Sequence, residues 1–456
     1  MSSNKKKTAI DMTSGNPMTA LLKFLIPVFL GNMFQQFYNM ADTMIVGRFV
    51  SADALAAVGS TGTIMFLILG TSIGLASGFS VLTAQSFGAG DERRMKHSVA
   101  NGMILAVIFS VVLTVISVAT MPSVLRIMNT PDNIYKDAKT YIVLICYGLV
   151  TSFFYNLASS FLRAIGNSRV PLYFLVFSAG LNVLLDLLLI IVFHMGVAGA
   201  ALATVIAQGV SAILCFVYIF WKVPMLRPER DDWRLTAADS SNQLRMGIPM
   251  ALQFAITASG TMVMQSAINL FGSVAVASYT AASKLSNLLT QGLQAMAPAM
   301  ATFAGQNYGK GNITHLKKGV RSAMIISTCY AIVAAVLTVA LVRPTLQLFF
   351  ASGTNISELL PWARTYLQIS AMFYIPLGYI FIFRNAMQGC GYGFLPMAGG
   401  IVELIARLTT SMIAMRTMSY FLAVFSDPMA WLSAGIYTMI AWVFVSRKMS
   451  KDSRFN

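Results

Sequence analysis

Residues 180 to 190, GLNVLLDLLLI, place one carboxylate, Asp186, in a run that otherwise consists almost entirely of Leu, Ile and Val. Asn182 lies four residues earlier, so on a helix the amide and the carboxylate share a face. A charged side chain at membrane depth is costly and usually has a partner or a functional role inside the protein. The stretch therefore predicts a membrane-spanning helix that carries a functional carboxylate.

The composition around this stretch is that of a chain that crosses a lipid bilayer many times. Of the 456 residues, 57% are hydrophobic and 11% are charged, and the mean hydropathy is +0.70. The net charge of +16 comes from Lys and Arg in short connections between apolar runs, so it indicates membrane topology and not nucleic-acid binding. The four cysteines show neither metal-site spacing nor a disulfide framework.

The apolar runs predict an all-α polytopic membrane protein with twelve transmembrane helices in two pseudo-symmetric six-helix lobes. Each run has roughly 20 to 27 residues, the length that a hydrocarbon core of about 30 Å requires. In the last run, Asp427-Pro428 interrupts the apolar pattern, so an irregular outer end is expected. The predicted spans are residues 20–46, 54–83, 98–120, 138–162, 170–193, 197–221, 244–270, 279–304, 320–342, 362–387, 395–417 and 421–445.

One long polar connector, VPMLRPERDDWRLTAADSSN, separates the sixth span from the seventh. It predicts an N-terminal six-helix lobe over residues 1–222, a cytoplasmic linker over 223–242 and a C-terminal six-helix lobe over 243–456. Most of the 32 Lys and Arg residues fall in connections on the side of the N-terminus. Both termini are therefore expected in the cytoplasm, with the chain in the inner or plasma membrane. The Lys5-Lys6-Lys7 run resembles a signal-peptide start, but the long apolar run after it predicts an uncleaved first span.

The two halves repeat each other at a nearly constant offset of 221 to 225 residues. The matching pairs are IPVFLGN from Ile26 with IPMALQF from Ile248, QSFGAGDERRMKHSVANG from Gln85 with QNYGKGNITHLKKGVRSA from Gln306, and LRAIGNSRVP ending at Pro171 with MQGCGYGFLP ending at Pro396. Because each half has an even number of spans, the repeat is parallel, and a cleft between the halves is the expected substrate route.

A polar stripe runs along one face of the first span. Such a stripe either lines a water-filled cavity or hydrogen-bonds other helices, and its terminal carboxylate favours the cavity. Pro27, in the same span, removes a backbone hydrogen bond and can act as a kink or as a hinge. The stripe consists of Asn32, Gln35, Gln36, Asn39 and Asp42.

Four polar residues are expected at similar depth in the outer half of the first lobe. At 1.5 Å per residue, Asp42 lies about 9 Å, Asp186 and Thr204 about 12 Å, and Asn182 about 18 Å from the outer span ends. Two carboxylates, an amide and a hydroxyl predict a site for Na⁺ or for a proton. The alternative is that Asp42 and Asp186 are separate, hydrogen-bonded structural residues.

The second half lacks a counterpart of Asp42, since the repeat places Met264 there. Glu403 and Arg407 are four residues apart on the eleventh span, so they form either a neutral structural pair or part of a substrate or gating site. Lys284 can extend towards the outer surface. These differences predict that ion coupling belongs mainly to the first half.

Other features carry no chemistry. Gly70, Gly74 and Gly78 form a ridge of small residues that predicts close helix packing. The sequence shows no phosphate-binding loop, metal-ligand cluster or nucleophile–base arrangement, so neither an enzyme, an ATP-driven pump nor a bound cofactor is expected.

The segment from Pro17 to Gly59, PMTALLKFLIPVFLGNMFQQFYNMADTMIVGRFVSADALAAVG, with QSFGAGD, LRAIGNSRVP and GLNVLLD after it, resembles the MATE family of multidrug and toxic compound extrusion transporters. The likeness is closer to the prokaryotic DinF-like branch than to the NorM-like one. It implies secondary active export of small organic, often cationic or amphipathic, compounds in exchange for H⁺ or Na⁺ by alternating access. It also implies a monomer in the lipid bilayer without a nucleic-acid partner.

The resemblance assigns roles to particular positions. Its cation-coupling residues match Asp42, Asn156, Asn182, Asp186 and Thr204, and its bending first helix matches Pro27 and Tyr38, beside Gln35 and Asn39 of the polar stripe. The NorM-like branch has additional carboxylates in the C-terminal lobe, where this chain offers only Glu403, beside Arg407 and with Lys284 as a further cavity candidate.

Two other functions compete with this interpretation. A flippase for lipids or lipid-linked saccharides belongs to the related superfamily, but it would require a more basic central cleft. A passive channel is disfavoured because the buried charges of the two halves differ and form no ring of like residues.

Overall fold

The helices of the computed structural model follow the predicted apolar runs. The structure describes residues 9–128, 130–350 and 355–452, so the Lys5-Lys6-Lys7 run lies outside the described residues. The helices of the first half are α1 (Pro17–Phe49), α2 (Ala52–Ser60), α3 (Gly62–Ala89), α4 (Glu92–Ile127), α5 (Asp132–Tyr147), α6 (Leu149–Ala164), α7 (Arg169–Asp186) and α8 (Gly196–Lys222). Those of the second half are α9 (Ala237–Asn269), α10 (Gly272–Lys310), α11 (Ile313–Ala340), α12 (Val342–Phe349), α13 (Ile356–Met372), α14 (Tyr374–Gly389), α15 (Phe394–Thr417) and α16 (Tyr420–Met449).

Within the described ranges, nine single helices are long and apolar enough to cross a bilayer, and two bent pairs qualify as broken spans. The bent pairs, α5 with α6 and α13 with α14, match the fourth and tenth predicted spans, and each bends by 47°. The eighth predicted span, 279–304, falls in α10, whose 39 residues are not among these candidates. The all-α polytopic fold is confirmed. Among the described residues, the helices that meet the length and composition of a membrane span number fewer than the twelve predicted.

Three spans differ locally from the predicted pattern. The second predicted span is broken at Thr61, between α2 and α3. The fifth continues beyond Asp186 as a π-helical turn, Leu187–Val192. The last does not become irregular at Pro428, because α16 runs through that residue as a 30-residue helix. A proline can be tolerated in a membrane helix when neighbouring groups satisfy the freed backbone.

The chain forms two compact units. Unit 1 contains the residues up to Asp11 and Ile26–Phe254, and unit 2 contains Met12–Leu25 and the residues from Ala255 onward. Each unit buries its own apolar core, with Phe79, Phe153 and Phe161 fully buried in unit 1 and Phe303 and Tyr374 in unit 2.

The glycine ridge on α3 packs closely on α9 within unit 1. A Cβ added at Gly74 would lie 2.6 Å from the backbone of Ala251, and one at Gly78 would lie 2.3 Å from the Cα of Gly247. Real Cβ atoms essentially never approach so closely, so the backbones can meet only because both ridge positions are glycine. The predicted close helix packing is confirmed.

The polar connector is attached to the start of α4 within unit 1. Lys96 Nζ donates to Glu229 Oε1 over 2.6 Å, and His97 Nδ1 lies 2.8 Å from Asp239 Oδ2. The ammonium group of Lys96 holds the pKa of the Glu229 carboxyl below its usual value, because it hydrogen-bonds and stabilises the ionised form. These contacts hold the connector through Glu229 and the first turn of α9 through Asp239 on the start of α4.

Candidate functional site

The structure brings the two predicted carboxylates of the first half together. Asp42 lies on α1 and Asp186 is the last residue of α7, and they are 8% and 0% exposed. Their carboxyl groups are within hydrogen-bonding range of each other. Among the described residues, Asp42 Oδ1 and both carboxyl oxygens of Asp186 have no hydrogen-bond donor as partner. In the part of the chain that the structure describes, the pair is therefore buried without an ion-pair partner, and three of its four oxygens have no donor.

This arrangement requires one positive charge or one proton. Two ionised carboxylates in contact repel each other, and the repulsion grows as water is excluded. A shared proton lets one carboxyl group donate to the other, and a bound cation neutralises both. The pair can therefore exchange a proton or a monovalent cation with water.

The amide of Asn182 adds a further partnerless group next to the pair. It lies one turn before Asp186 on α7, is 1% exposed, and neither its Oδ1 nor its Nδ2 has a hydrogen-bond partner in the described part of the chain. Buried polar atoms are rarely left unpaired unless water, an ion or a ligand satisfies them. The oxygen atoms of Asn182, Asp42 and Asp186 are the hard ligands that a Na⁺ ion prefers.

A narrow polar cavity of about 60 Å³ lies in unit 1 beside this pair. Its walls include five of the predicted site residues, Gln35, Tyr38, Asn156, Asn182 and Thr204. Asp42 and Asp186 do not line the cavity. Tyr38, which interacts with both carboxylates, and Asn182 do line it, so they link the cavity to the pair. A polar space of this size is large enough for a few water molecules.

The hydroxyl of Thr204 and the amide of Asn156 are already partly engaged. Thr204 Oγ1 donates to the carbonyl of Ala200 over 3.1 Å, and Asn156 Nδ2 donates to the carbonyl of Ser152 over 2.9 Å. Both side chains keep an oxygen that can accept a hydrogen bond or contact a cation.

Sequence reasoning missed Gln208 on α8. Its side chain hydrogen-bonds with Ser152 and with Tyr38, so it joins three walls of the cavity. A signal was available, since Gln208 follows Thr204 by four residues in an otherwise apolar span. Tyr141, which is 2% exposed and interacts electrostatically with both carboxylates, was also missed, because a tyrosine in an apolar span is common.

The π-helical turn that follows Asp186 was not predicted either. Residues Leu187–Val192 form it, and the chain resumes as α8 at Gly196. Such turns are rare and occur frequently at functional sites, because the added residue changes the direction of the side chains before it. Its sequence, LLLIIV, has no residue that signals the change of helix type.

The first helix is continuous through its proline. Pro27 is buried inside α1, a helix of 33 residues, whereas Gln35 and Asn39 are exposed on it. Because Pro27 cannot donate a backbone hydrogen bond to the carbonyl four residues earlier, α1 bends more easily at this position, which precedes Asp42 in the same helix.

Unit 2 contains a buried four-residue ion network instead of a carboxylate pair. Arg407 Nη2 donates to Glu403 Oε1 over 3.0 Å, which confirms the predicted i, i+4 contact. Arg407 Nε also donates to Asp427 Oδ1 over 2.6 Å, and Arg384 Nη2 donates to Glu403 Oε2 over 3.1 Å. With two cations and two anions, the network is neutral.

This network corrects two expectations. Glu403 is not the only carboxylate that this half offers, because Asp427 contributes a second one from α16. The count of Lys and Arg by side placed Arg384, at the inner end of the predicted span 362–387, among the cytoplasmic cations, but it lies on α14 and its side chain is 11% exposed. Both were missed because their partners lie on other helices and at irregular sequence spacing.

The remaining candidate of the second half, Lys284, stays outside this network. It is exposed on α10 and forms no ion pair with a described residue. Arg407 Nη1, by contrast, is buried and has no hydrogen-bond partner in the described ranges. The residue facing it is Gly260 on α9, where an added Cβ would lie 2.4 Å from that nitrogen.

Comparisons with known proteins agree on one family. The chain is 31% identical over 306 residues to the probable multidrug resistance protein YpnP of Bacillus subtilis (strain 168), across 67% of this chain and 68% of that protein. It is 28% identical over 375 residues to YoeA of the same organism, also named a probable multidrug resistance protein, across 81% and 80%. A solved structure described as the outward-facing conformation of a multidrug resistance MATE family transporter matches with a TM-score of 0.91 at 22% identity, across 98% of this chain and 99% of that one. Since the family model described as MatE also matches residues 27–188 and 249–413, which is most of the chain, the protein belongs to the MATE family of transporters.

Proposed function

We propose that this protein is a secondary active exporter of small organic compounds, cationic or amphipathic in character, and that it exchanges them for H⁺ or Na⁺. The observation that carries the proposal is the buried contact between Asp42 and Asp186, in which Asp42 Oδ1 and both oxygens of Asp186 lack a donor among the described residues. Membership of the transporter family and relatives named as multidrug resistance proteins support the substrate class.

The coupling step follows from the charge of the pair. When a proton or a Na⁺ ion enters, the contact between the two carboxyl groups becomes attractive, and when it leaves, the groups repel each other. Because Asp42 is on α1 and Asp186 is at the end of α7, the change in charge acts directly on the packing of these two helices. Pro27 gives α1 a position at which it can bend in response.

The cavity residues fit the role of an ion path. Tyr38 interacts with both carboxylates and hydrogen-bonds with Gln208, which lines the same cavity. A proton needs only a chain of waters and hydroxyl groups, whereas Na⁺ needs several oxygen ligands. The oxygens of Asp42, Asp186, Asn182 and Thr204 provide the several ligands that Na⁺ needs. The proposal therefore includes both H⁺ and Na⁺, and the ion is identified by the transport measurement below.

We further propose that the chain is a monomer of the inner or plasma membrane with both termini in the cytoplasm. The positive-inside bias of the Lys and Arg residues supports this orientation. In this proposal, residues 1–222 and 243–456 act as the two lobes of alternating access and residues 223–242 form the cytoplasmic linker.

The proposal is tested with uptake of ethidium, a fluorescent organic cation, into inverted membrane vesicles. Sodium and pH gradients are imposed separately, so the ion that drives uptake is identified directly. Asp42→Asn and Asp186→Asn should each abolish gradient-driven uptake, because either change removes the charge that the ion must neutralise.

The matched control is Asp53→Asn, which alters an exposed carboxylate in the first turn of α2. It should leave uptake unchanged. Full gradient-driven uptake by both site variants would refute the coupling assignment, and uptake that persists without any gradient would refute secondary transport.

A further inference from the structure

A second, open cavity of about 550 Å³ lies in unit 2, between the start of α1 with the two residues before it and the first turns of α11. Its walls include Asn16 and Pro17 on one side and His315, Lys318 and Arg321 on the other. It shares no residue with the carboxylate pair, the polar cavity of unit 1 or the buried ion network, so transport chemistry does not explain it.

Within the described part of the chain, no acidic residue neutralises the cations Lys318 and Arg321 of this cavity. Lys318 and Arg321 are exposed on consecutive turns of α11, and neither forms an ion pair or side-chain hydrogen bond with a residue in the described ranges. The adjacent Lys317 differs, because its ammonium group donates to Ser450 Oγ over 2.6 Å. The cavity therefore has two available cations side by side, which favours an anionic ligand.

The internal repeat shows what occupies the equivalent place in the other half. At the offset of 221 residues, His97 corresponds to Lys318, and in unit 1 His97 contacts the carboxylate of Asp239 at 2.8 Å. At the offset of 222 residues, Asp239 corresponds to Pro17. The first turn of α9 thus supplies an acid to the basic start of α4, whereas the first turn of α1 contains no acidic residue. The second half thus has Lys318 in place of His97 and Arg321 in place of Ala100, without an acid at the position of Asp239.

The same face of α11 continues as an apolar surface. Ile325, also part of the cavity wall, is 47% exposed, and Ile332 and Val336 further along are 53% and 63% exposed. The spacing of seven and four residues keeps these side chains on the helix face that carries Lys318 and Arg321. Since α11 is long and apolar enough to span a bilayer, its exposed apolar residues face lipid chains.

We propose that this cavity binds the phosphate head group of an anionic membrane lipid. Lys318 and Arg321 contact the phosphate oxygens at the place where unit 1 has the Asp239 carboxylate, and the acyl chains lie along Ile325 and Ile332. A free phosphate ion would satisfy the cations but would leave the adjoining apolar face without a role. Basic residues next to a membrane helix are a recurrent means of binding anionic lipids.

The test measures lipid binding to the purified full-length protein in a neutral detergent by native mass spectrometry, with thermal stability as a second readout. The probes are phosphatidylglycerol, phosphatidylcholine and sodium phosphate. Wild type should bind phosphatidylglycerol in preference to phosphatidylcholine and should be stabilised by it, whereas sodium phosphate alone should give no comparable stabilisation. Lys318→Ala with Arg321→Ala should weaken phosphatidylglycerol binding by about tenfold or more, since two surface cations are removed.

Two further variants make the result specific. Arg447→Ala with Lys448→Ala removes two exposed cations of the same unit at the end of α16, and it should retain the lipid preference. Pro17→Asp restores the acid that the first half has at this position, and it should abolish the preference without loss of fold, because an acidic residue in the first turn stabilises a helix.

Each contrary result overturns the proposal. Unchanged phosphatidylglycerol binding by the Lys318/Arg321 double variant or by Pro17→Asp would show that the lipid does not occupy this cavity. An equal loss in the Arg447/Lys448 control would indicate general surface electrostatics. Stabilisation by sodium phosphate equal to that by phosphatidylglycerol would show that the ligand is a phosphate ion and not a lipid.

Discussion

Replacement of Arg407 by Met should destabilise unit 2 far more than the loss of a surface charge does. Arg407 is the centre of the buried ion network, with its side chain 3% exposed and with bonds of 3.0 Å to Glu403 and 2.6 Å to Asp427. Met preserves much of the apolar volume but cannot donate a hydrogen bond. Glu403 would keep Arg384 as a partner, whereas Asp427 would lose its ion pair and remain buried in unit 2.

The magnitude follows from this imbalance. Removing one partner of a buried ion pair costs about 3 to 5 kcal/mol, mostly because the other charge is left without compensation. For a unit of roughly 200 residues, about 2 to 4 °C are lost for each kcal/mol, so the thermal midpoint should fall by about 6 to 20 °C. The double variant Arg407→Met with Asp427→Asn should recover more than half of this loss, since it removes the uncompensated carboxylate as well.

The assay is thermal unfolding of the purified protein in detergent, with unfolding followed by tryptophan fluorescence. Arg416→Met is the matched control, because it makes the same change at an exposed position of the same helix, α15. It should alter the free energy of unfolding by less than about 0.5 kcal/mol. If Arg407→Met destabilised the protein no more than Arg416→Met, or if the double variant were less stable than the single one, the network would not hold unit 2 together as described.

Two other predictions address unit 1. Gly78→Ala should destabilise the protein by about 1 to 3 kcal/mol, because its Cβ would lie 2.3 Å from Gly247 Cα. Gly59→Ala in α2, where a Cβ meets nothing within 4 Å, should be neutral or stabilising. Equal thermal midpoints of the two variants would contradict the close packing of α3 on α9. Since Lys96 holds the pKa of Glu229 below its usual value, their contact stabilises the connector above that usual value and is lost as the pH falls through the lowered pKa. The protection of the connector amides, measured as hydrogen exchange relative to the intrinsic rate at each pH, should therefore fall on acidification in wild type. Glu229→Gln should show low protection already at neutral pH, and identical protection profiles of the two proteins would refute the contact.

The sequence was sufficient for features that depend on local pattern. Apolar runs of membrane length predicted the helices, because a bilayer leaves a spanning segment no other way to satisfy its backbone. The period of 3.6 residues placed Glu403 and Arg407 on one helix face, where pairing was one of two open interpretations. Depth counted at a fixed rise per residue placed Asp42 and Asp186 at one level, and the structure does bring them into contact.

Other features depend on helix rotation and on contacts between segments distant in sequence, and only the tertiary structure decided them. Arg384 and Asp427 join the ion network from α14 and α16, and neither spacing nor composition specifies which face of those helices meets α15. The bends of 47°, the π-helical turn after Asp186 and the role of Gln208 likewise result from packing. The sequence determined which apolar segments form membrane-length helices and that Asp42, Asp186, Glu403 and Arg407 lie within them, because a charge in such a run is costly and needs a partner. The partner of each charge was decided by tertiary structure, because partners are chosen by the packing of whole helices.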